Sequence, residues 1–430
     1  MKKIFALILC AALSLSLFGC VNATSLPLTP TAAPTAEPTA IPTATPEPTP
    51  TPEPTPEPTP VPTPEPIPAA EVAVTLSDNV GAAVAPIQDG NVHSGVVYPQ
   101  GTVIHVEASQ PFAALYLYWD KTPPVYTVEC GDFSVAGGQY GILHEYLTLE
   151  KPVFSADLVF NANAPLYELR AYSQGDVPAD VQVWEPPCLK ADIMVFAAHA
   201  DDDVIFFGGI MANGVDQGLD VQVCYLVDHA LPGGVQYADR NHELLNSLWE
   251  MGIRHYPVVG PFPDYYVLSL WEAQSDFGEL AVTEYMVSQI RRFRPSVVVT
   301  HDREGEYGHG AHALCALCME QAVPLAADPN AYPGSAEAYG VWDTPKFYLH
   351  FAEENPINID VETPLASFGG RTAFEVATAA MEYHLSQLQY AHRPTLTNED
   401  FPRYDCRKFG LVRSTVGLDT GNDIMEHIDR

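Results

Sequence analysis

The sequence predicts an α/β domain with a parallel, Rossmann-like sheet and flanking helices, preceded by an all-β sandwich of the jelly-roll type. From residue 189 to 430, short apolar runs typical of buried strands alternate with amphipathic helical patterns, as they do in parallel α/β sheets. From 70 to 188, many short alternating runs are separated by Gly, Pro and Asp, which favours an antiparallel sandwich. The last part, about 240 residues, is long enough for one substantial core.

The α/β elements follow one another in a regular order. The first strand, 191–198, leads into a helical pattern over 204–211. The pattern then predicts strands over 221–227, 255–259, 295–300 and 346–351, and helices over 240–249, 313–320 and 374–388. No Gly-x-Gly-x-x-Gly motif follows the first strand, so dinucleotide binding has no support.

The β-rich part has clear strand patterns at 102–107, 113–119, 126–130, 156–160 and 166–172. Residues 89–91 and 168–187 are loosely similar to discoidin-like (galactose-binding-like) jelly rolls. That resemblance implies a carbohydrate-binding module, while a spacer or packing partner for the following domain is an equally good interpretation. Tyr116, Tyr118 and Trp119 would form either a sugar platform or, as is commoner for alternating aromatic residues, part of the core.

Side chains with metal-binding chemistry follow two of the predicted strands. Residues 199–203, His-Ala-Asp-Asp-Asp, come directly after the first strand, and His309 and His312 begin the helix that follows strand 295–300. The carboxyl ends of parallel strands share one edge of the sheet, where ligands bind. Capping of a helix would account for one aspartate, whereas a histidine with three carboxylates is typical of a metal site with a spare carboxylate for proton transfer.

With these motifs, residues 190–430 resemble the PIG-L/LmbE-type zinc-dependent N-deacetylases. The first family motif, usually His-Pro-Asp-Asp-Glu, corresponds to residues 199–203. The second, commonly Gly-His-Pro-Asp-His after Glu-Tyr, corresponds to residues 306–312, Glu-Tyr-Gly-His-Gly-Ala-His. The resemblance implies a hydrolase that removes acetyl from N-acetylated amino sugars of the N-acetylglucosamine type, in a glycan or glycoconjugate.

The resemblance also implies the metal ligands and the base. His199, Asp202 and His312 would hold Zn²⁺, although such a ligand set accepts other divalent metals as well. Asp201 would be the general base that accepts a proton from a metal-bound water and later returns it to the amine.

Further residues match family positions around the substrate. Tyr307 and His309 would stabilise the negative charge that develops on the amide oxygen. Arg240 matches a sugar-contacting position, and Asp264 and Asp228 follow predicted strand ends, so all three are candidate substrate contacts. A structural role is equally open for each of them; Arg240, for example, could form an ion pair on the helix surface.

Three departures from the family pattern bear on activity. Ala200 and Gly310 replace prolines, Asp203 replaces a glutamate, and Ala311 replaces an aspartate between the two histidines. If that aspartate orients the first histidine, His309 needs another partner, for which the candidates are Asp302, Glu304 and Glu306. No ligand or base is lost, so we expect activity; the alternative is a glycan-binding lipoprotein with a catalytically drifted domain.

The N-terminus predicts export and lipid anchoring. Two lysines and a short apolar run precede Leu-Phe-Gly-Cys20, which resembles a lipobox. The resemblance implies a signal peptide over 1–19 and a diacylglycerol group on Cys20; an ordinary signal peptide is the alternative. Residues 20–69 are rich in Pro and Thr and predict an extended linker. We therefore expect a bacterial lipoprotein on the outer face of the cell membrane, with domains at 70–188 and 189–430.

The charge balance limits the partners. With 20 Lys and Arg against 54 Asp and Glu, the net charge is −34, which disfavours nucleic acids and other polyanions. Neutral or amino-containing glycans remain as natural ligands. Cys224, Cys315 and Cys318 lie in apolar runs, which favours core packing over a redox or zinc motif. Disulfide connectivity and oligomeric state do not follow from the sequence.

Overall fold

The computed structural model describes residues 67–429 apart from 236, 238, 391 and 397–402. The predicted signal peptide, Cys20 and nearly all of the Pro/Thr linker lie outside the described residues. Residues Pro64–Arg430 form one compact unit, so the all-β part and the α/β part belong together. Among the described residues, no helix has both the length and the apolar character needed to cross a membrane.

The N-terminal part consists of antiparallel strands. They are β1 (Glu71–Val72), β2 (Val74–Asp78), β3 (Val96–Tyr98), β4 (Val103–Trp119), β5 (Tyr126–Glu129), β6 (Ser134–Gly137), β7 (His144–Phe160) and β8 (Ala164–Tyr172). The order is β1-β8-β4-β7-β5-β6, with β2 also on β4 and β3 on β8. The all-β prediction is confirmed, but the strands form one hydrogen-bonded sheet instead of two separate ones, because β4 pairs with β2 through its first half and with β8 through its second.

The aromatic residues proposed as a sugar platform are largely inside. Trp119 is completely buried, and its ring lies against Tyr126 and Phe160. Tyr118 is 9% exposed and stacks on His144 and on His242 of the α/β part. These side chains therefore belong to the core and to the contact between the two parts, which fits a packing partner better than a sugar-binding face.

The α/β part contains a six-stranded sheet and a two-stranded one. Its elements are β9 (Ile193–Ala197), α1 (Asp202–Phe206), α2 (Gly208–Asp216), β10 (Val221–Tyr225), β11 (Val227–Asp228), α3 (Asp239–Glu250), β12 (Phe262–Pro263), α4 (Leu270–Ala273), α5 (Glu279–Phe293), β13 (Val297–Thr300), α6 (Gly310–Ala326), α7 (Pro333–Tyr339), β14 (Lys346–His350), β15 (Pro356–Asn358), α8 (Ala373–Met381) and β16 (Lys408–Ser414). The sheet order is β10-β9-β13-β14-β16-β15. The first four strands are parallel, and β16 is antiparallel to both neighbours, so the predicted parallel sheet is mixed at one edge.

Three predicted elements differ from the structure. The helix over 204–211 is broken at Phe207, because two glycines follow and α8 packs closely there: a Cβ on Gly208 would lie 2.6 Å from that of Ala377. Strand 255–259 is reduced to two isolated parallel bridges, from His255 and Val258, since the proline between them lacks an N–H. The late helix ends at Met381 instead of extending to 388.

The direction in which the chain adds strands reverses between β9 and β13, which are neighbours in the sheet. Ligands of open α/β sheets bind at such a point, outside the carboxyl ends of the strands. Both predicted motifs follow these two strands. The fold thus places them side by side.

Candidate active site

Buried histidines follow the carboxyl ends of four strands. His199 follows β9, His229 follows β11, His301 follows β13, and His350 is the last residue of β14. Each is at most 6% exposed. The parallel strands β9, β13 and β14 end at one edge of the six-stranded sheet, and β11 continues from the end of β10 at the same edge, so these rings gather around one crevice.

The three predicted metal ligands come together at the floor of this crevice. His199 Nδ1 lies 3.0 Å from Asp202 Oδ2 and 3.3 Å from His312 Nε2. His312 Nε2 in turn lies 3.2 Å from Asp202 Oδ1. Two imidazole nitrogens and one carboxylate at such separations are a donor set of the kind that catalytic zinc uses.

Glu306 fixes the ring of His312. His312 Nδ1 donates to Glu306 Oε2 at 2.8 Å, which leaves the Nε2 lone pair directed at Asp202 and His199. Metal-binding histidines usually donate their second N–H to such an acceptor. Although burial opposes it, the carboxylates of Asp202 and Glu306 raise the pKa of His312 to about 10. A proton and a metal ion therefore compete for Nε2, and the donor set fits a divalent cation.

Glu306 also holds two further histidines. Its Oε1 accepts from His301 Nδ1 at 3.1 Å and from His350 Nδ1 at 3.0 Å, as well as from the backbone N–H of Asp302. His350 Nε2 lies 3.1 Å from the carbonyl oxygen of Asp405, so both ring nitrogens of His350 lie next to oxygen atoms. Although burial raises it, His301 and the hydrogen bonds from His301, His312 and His350 hold the pKa of Glu306 well below its usual range.

Two overlapping groups of side chains have ligand atoms within 4.8 Å of one another: His199, His309 and His312, and Asp202, His301 and His312. However, the two ring nitrogens of His301 are already engaged. Nδ1 donates to Glu306, and Nε2 accepts the backbone N–H of Ala198 at 2.9 Å. His199, Asp202 and His312 are therefore the better ligand set, and His301 is a support for Glu306.

Behind His199 lies a chain of hydrogen bonds that sequence reasoning did not reveal. His199 Nε2 faces Asp264 Oδ1 at 3.7 Å, and Asp264 Oδ2 accepts from His229 Nδ1 at 3.0 Å. His229 Nε2 accepts the backbone N–H of Ala200 at 3.2 Å. Although burial raises it, the bond from His229 and the nearby His199 and Arg240 hold the pKa of Asp264 well below its usual range. Asp264 thus lies beside His199 without a hydrogen bond to it, and its hydrogen-bonded partner is His229.

Asp201 lies beside the ligand set in a strained backbone conformation, with φ of 107°. Arg240 Nη2 donates to its Oδ1 at 3.0 Å and also to the carbonyl oxygen of Ala200. Burial raises the pKa of Asp201 to about 7, against the opposing effect of Arg240. A carboxylate with a pKa near neutrality is suited to accept and return a proton.

Arg240 is therefore placed to hold the predicted base. Its Nη1 also lies 3.6 Å from Asp264. It does not pair with Glu243, whose carboxylate instead accepts from the backbone N–H and the hydroxyl of Ser386 at 2.9 and 2.6 Å. The helix-surface alternative for Arg240 is thus wrong.

The positions that depart from the family pattern are accommodated. Ala200 has an N–H, which a proline would lack, and it is the group that donates to His229. Asp203 accepts the backbone N–H of Asp201 at 3.0 Å and so holds the strained turn. At Gly310 any side chain would be excluded, since a Cβ there would lie 2.3 Å from the carbonyl oxygen of Ser269.

His309 is held by the backbone. It is the N-cap of α6, and its Nδ1 accepts the backbone N–H of Ala311 at 3.3 Å. Burial and the neighbouring His312 lower the pKa of His309 to about 2, so the ring is neutral and its proton lies on Nε2. The proposed carboxylate partners are wrong: Glu306 binds other histidines, and Asp302 and Glu304 pair with Arg403.

Seven of the nine predicted site residues line a cavity of about 510 Å³, and His312 is completely buried. His199, Asp201, Asp202, Arg240 and Asp264 form its floor, and Tyr307 and His309 lie along one side. Sites of roughly 300–1,000 Å³ are typical of small-molecule pockets.

Asp228 lies elsewhere. Its carboxylate accepts from the N–H of Ala230 and from Asn241 Nδ2 at 2.8 and 2.7 Å, and it borders a different cavity. The prediction that Asp228 contacts the substrate is therefore not supported. Asp228 instead stabilises the loop that carries His229.

Comparisons with known proteins agree with this site. Residues 194–323 match the family model described as PIG-L: GlcNAc-PI de-N-acetylase. The 1D-myo-inositol 2-acetamido-2-deoxy-alpha-D-glucopyranoside deacetylase 2 of Saccharopolyspora erythraea is 28% identical over 286 residues, which cover 55% of this chain and 100% of the relative. The corresponding deacetylase of Rhodococcus erythropolis is 30% identical over 185 residues, 38% of this chain and 62% of the relative.

Among solved structures, N,N'-diacetylchitobiose deacetylase from Pyrococcus horikoshii overlaps with 46% of this chain and 71% of its own, at 18% identity and a TM-score of 0.36. That overlap is too low to support a conclusion. The family match spans both motifs, 199–203 and 306–312. The chain thus contains a PIG-L-type deacetylase domain, and it is an enzyme of the hydrolase class.

Proposed function

We propose that this protein is an exported, lipid-anchored hydrolase that removes acetyl from N-acetylated amino sugars. The reaction would use a divalent metal ion, for which zinc is the first candidate. The proposal rests on one observation: ring nitrogens of His199 and His312 and the carboxylate oxygens of Asp202 lie within 3.3 Å of one another at the floor of a cleft. The curated relatives support the substrate class, because they are named for an acetamido-glucopyranoside. The N-terminal lipobox-like pattern supports export.

A divalent ion held by His199, Asp202 and His312 would supply Lewis acidity and lower the pKa of water. Asp201 accepts the proton of the attacking water as the oxygen bonds to the acetyl carbon. The carbon–nitrogen bond then breaks, and Asp201 returns the proton to the departing nitrogen. Acetate and a free amino sugar are the products.

The side chains next to the base set its geometry and stabilise charge. Arg240 occupies Oδ1 of Asp201, so that Oδ2 serves the water. His309 donates its Nε2–H to the oxygen that becomes negative in the transition state, and Tyr307 on the same side of the cleft is the second proposed donor. A neutral donor that is fixed beforehand needs no reorganisation during the reaction.

The alternative, a glycan-binding lipoprotein that has lost catalysis, was motivated by Ala200, Asp203 and Ala311. Each of these residues now has a supporting contact: Ala200 with His229, Asp203 with the Asp201 backbone, and the N–H of Ala311 with His309. The machinery is therefore adapted to these residues. We favour the enzyme.

The test is acetate release by the full-length protein from N-acetylglucosamine and its oligosaccharides, with added zinc. Asp201→Asn keeps the shape of the side chain but removes the base, so we expect release to fall by roughly 10²–10⁴-fold, the usual contribution of a general base. Equal release by the wild type and Asp201→Asn would refute the assignment of the base. Release by neither protein, in samples that hold zinc, would favour the binding alternative.

A further inference from the structure

Exposed aromatic side chains concentrate at the mouth of the active-site cleft. Nine aromatic side chains are well exposed among the described residues, and four of these line this one cavity: Tyr237, Tyr266, Tyr307 and Tyr390. Tyr307 belongs to the proposed catalytic group. The other three, 48%, 76% and 51% exposed, are here called the aromatic rim.

The rim carries no charged side chain. The lining near the tyrosines also includes hydroxyl and amide groups of Ser386, Gln387 and Gln389, aliphatic side chains, and the rings of Tyr265, His392 and Tyr404. Burial lowers the pKa of His392, which favours its neutral form. In the part of the chain that the structure describes, Arg240 is the only arginine that lines the cleft, and it is engaged by Asp201 and Asp264. An anionic group on the substrate would find no free cation among the described residues here, in a chain with a net charge of −34.

The polar groups of the rim are oriented. Glu243 accepts two hydrogen bonds from Ser386, which fixes the turn that follows α8. Gln387 Nε2 donates to the hydroxyl of Ser386 at 2.9 Å, and Gln389 Nε2 donates to its carbonyl oxygen at 3.3 Å. The amide oxygens of both glutamines are left as acceptors, which suit the hydroxyl groups of a sugar.

We infer that the rim binds a second, uncharged sugar ring next to the acetylated one, so that the substrate is a neutral oligosaccharide. This inference rests on the proposed function. Pyranose rings present C–H faces that pack on aromatic rings and hydroxyl edges that bond to amides, and tyrosine offers both an apolar face and a polar tip. The cavity of about 510 Å³ also exceeds what one sugar ring fills. A phosphate-bearing aglycone does not suit this rim.

The test compares kcat/KM for acetate release from three sugars: N-acetylglucosamine, its neutral dimer, and its 1-phosphate. We expect the dimer to be the best substrate and the phosphate the worst. Tyr266→Ala and Tyr390→Ala should each lower the ratio of dimer to monomer kcat/KM roughly three- to tenfold, as loss of one aromatic contact implies. Tyr339→Ala is the matched control, because Tyr339 is 43% exposed on α7 and does not line the cleft.

A binding measurement separates this inference from the proposed function. The neutral dimer is titrated by calorimetry into Asp201→Asn and into the double variant Asp201→Asn, Tyr266→Ala. This measures the affinity for the dimer without any turnover. Weaker binding in the double variant supports the rim even if no sugar is deacetylated. An unchanged kcat/KM ratio and unchanged binding in the rim variants, or tighter binding of the 1-phosphate than of the dimer, would overturn the inference.

Discussion

The central support of the site is a single buried carboxylate, and its replacement gives a sharp prediction. Glu306 accepts from His301, His312 and His350 at 2.8–3.1 Å and from one backbone N–H. It is 2% exposed. Glu306→Gln keeps the shape but removes the charge, and it turns one acceptor oxygen into a donor that faces ring N–H groups.

The expected effect on stability follows from these contacts. Removing one partner from a buried, hydrogen-bonded charge network costs about 3–5 kcal/mol, because at least one buried histidine N–H then faces a donor instead of an acceptor. Loss of the partner that fixes a ligating histidine lowers metal affinity roughly 10–100-fold. We therefore expect Glu306→Gln to lose both stability and zinc affinity, and acetate release to fall unless zinc is supplied in excess.

Urea unfolding and calorimetric zinc titration measure the two effects. Glu304→Gln is the matched control: Glu304 lies two residues away, has a side chain that is 75% exposed, and among the described residues forms an ion pair only with Arg403, at 3.8 Å. It should lose little in either assay. If Glu306→Gln binds zinc as tightly as the wild type and unfolds at the same urea concentration, Glu306 does not support the site as described.

Further predictions concern other parts of the chain. Gly310→Ala should reduce acetate release strongly, because its Cβ would meet Ser269 at 2.3 Å, whereas Gly334→Ala, with open space around it, should not. Burial lowers the pKa of His242 to about 4 from its ordinary 6.5. As the pH falls, the unfolded chain therefore takes up a proton at this histidine before the folded protein does. The contribution of the neutral His242 to the free energy of unfolding is complete above pH 6.5, and about 3 kcal/mol of it is lost as the pH drops to 4. The free energy of unfolding of His242→Phe should therefore depend less on pH than that of the wild type. An equally steep pH dependence in the variant would contradict this. Cys20→Ala should release the protein from cell membranes, as fractionation and immunoblotting would show; a variant that stays bound speaks against the lipid anchor.

The sequence predicted the fold class and the meeting of the two motifs because both depend on local patterns and on a general property of parallel sheets. Apolar runs located β9, β10, β13 and β14, and their carboxyl ends share an edge. The break at Phe207 and the loss of strand 255–259 were not predicted, since they depend on close packing by α8 and on one proline in the middle of a strand pattern.

The outer supports of the site were harder to predict. His229 and His350 were missed, although both follow strand ends and a search for histidines at those positions would have found them. Glu306 was noticed, but as a partner of His309, because sequence proximity cannot tell which way a side chain points when its backbone has a φ of +54°. The role of the Ala311 N–H depends on the geometry of a helix start, which a residue pattern does not reveal.

The most direct test of the account joins metal content to turnover. Protein stripped with a chelator is titrated with zinc while acetate release from an N-acetylglucosamine oligosaccharide is followed, and His312→Ala is treated in the same way. We expect release to rise in step with one zinc ion per chain, and we expect His312→Ala neither to bind zinc at that level nor to recover activity. Full release from the metal-free protein, or from His312→Ala, would contradict the account.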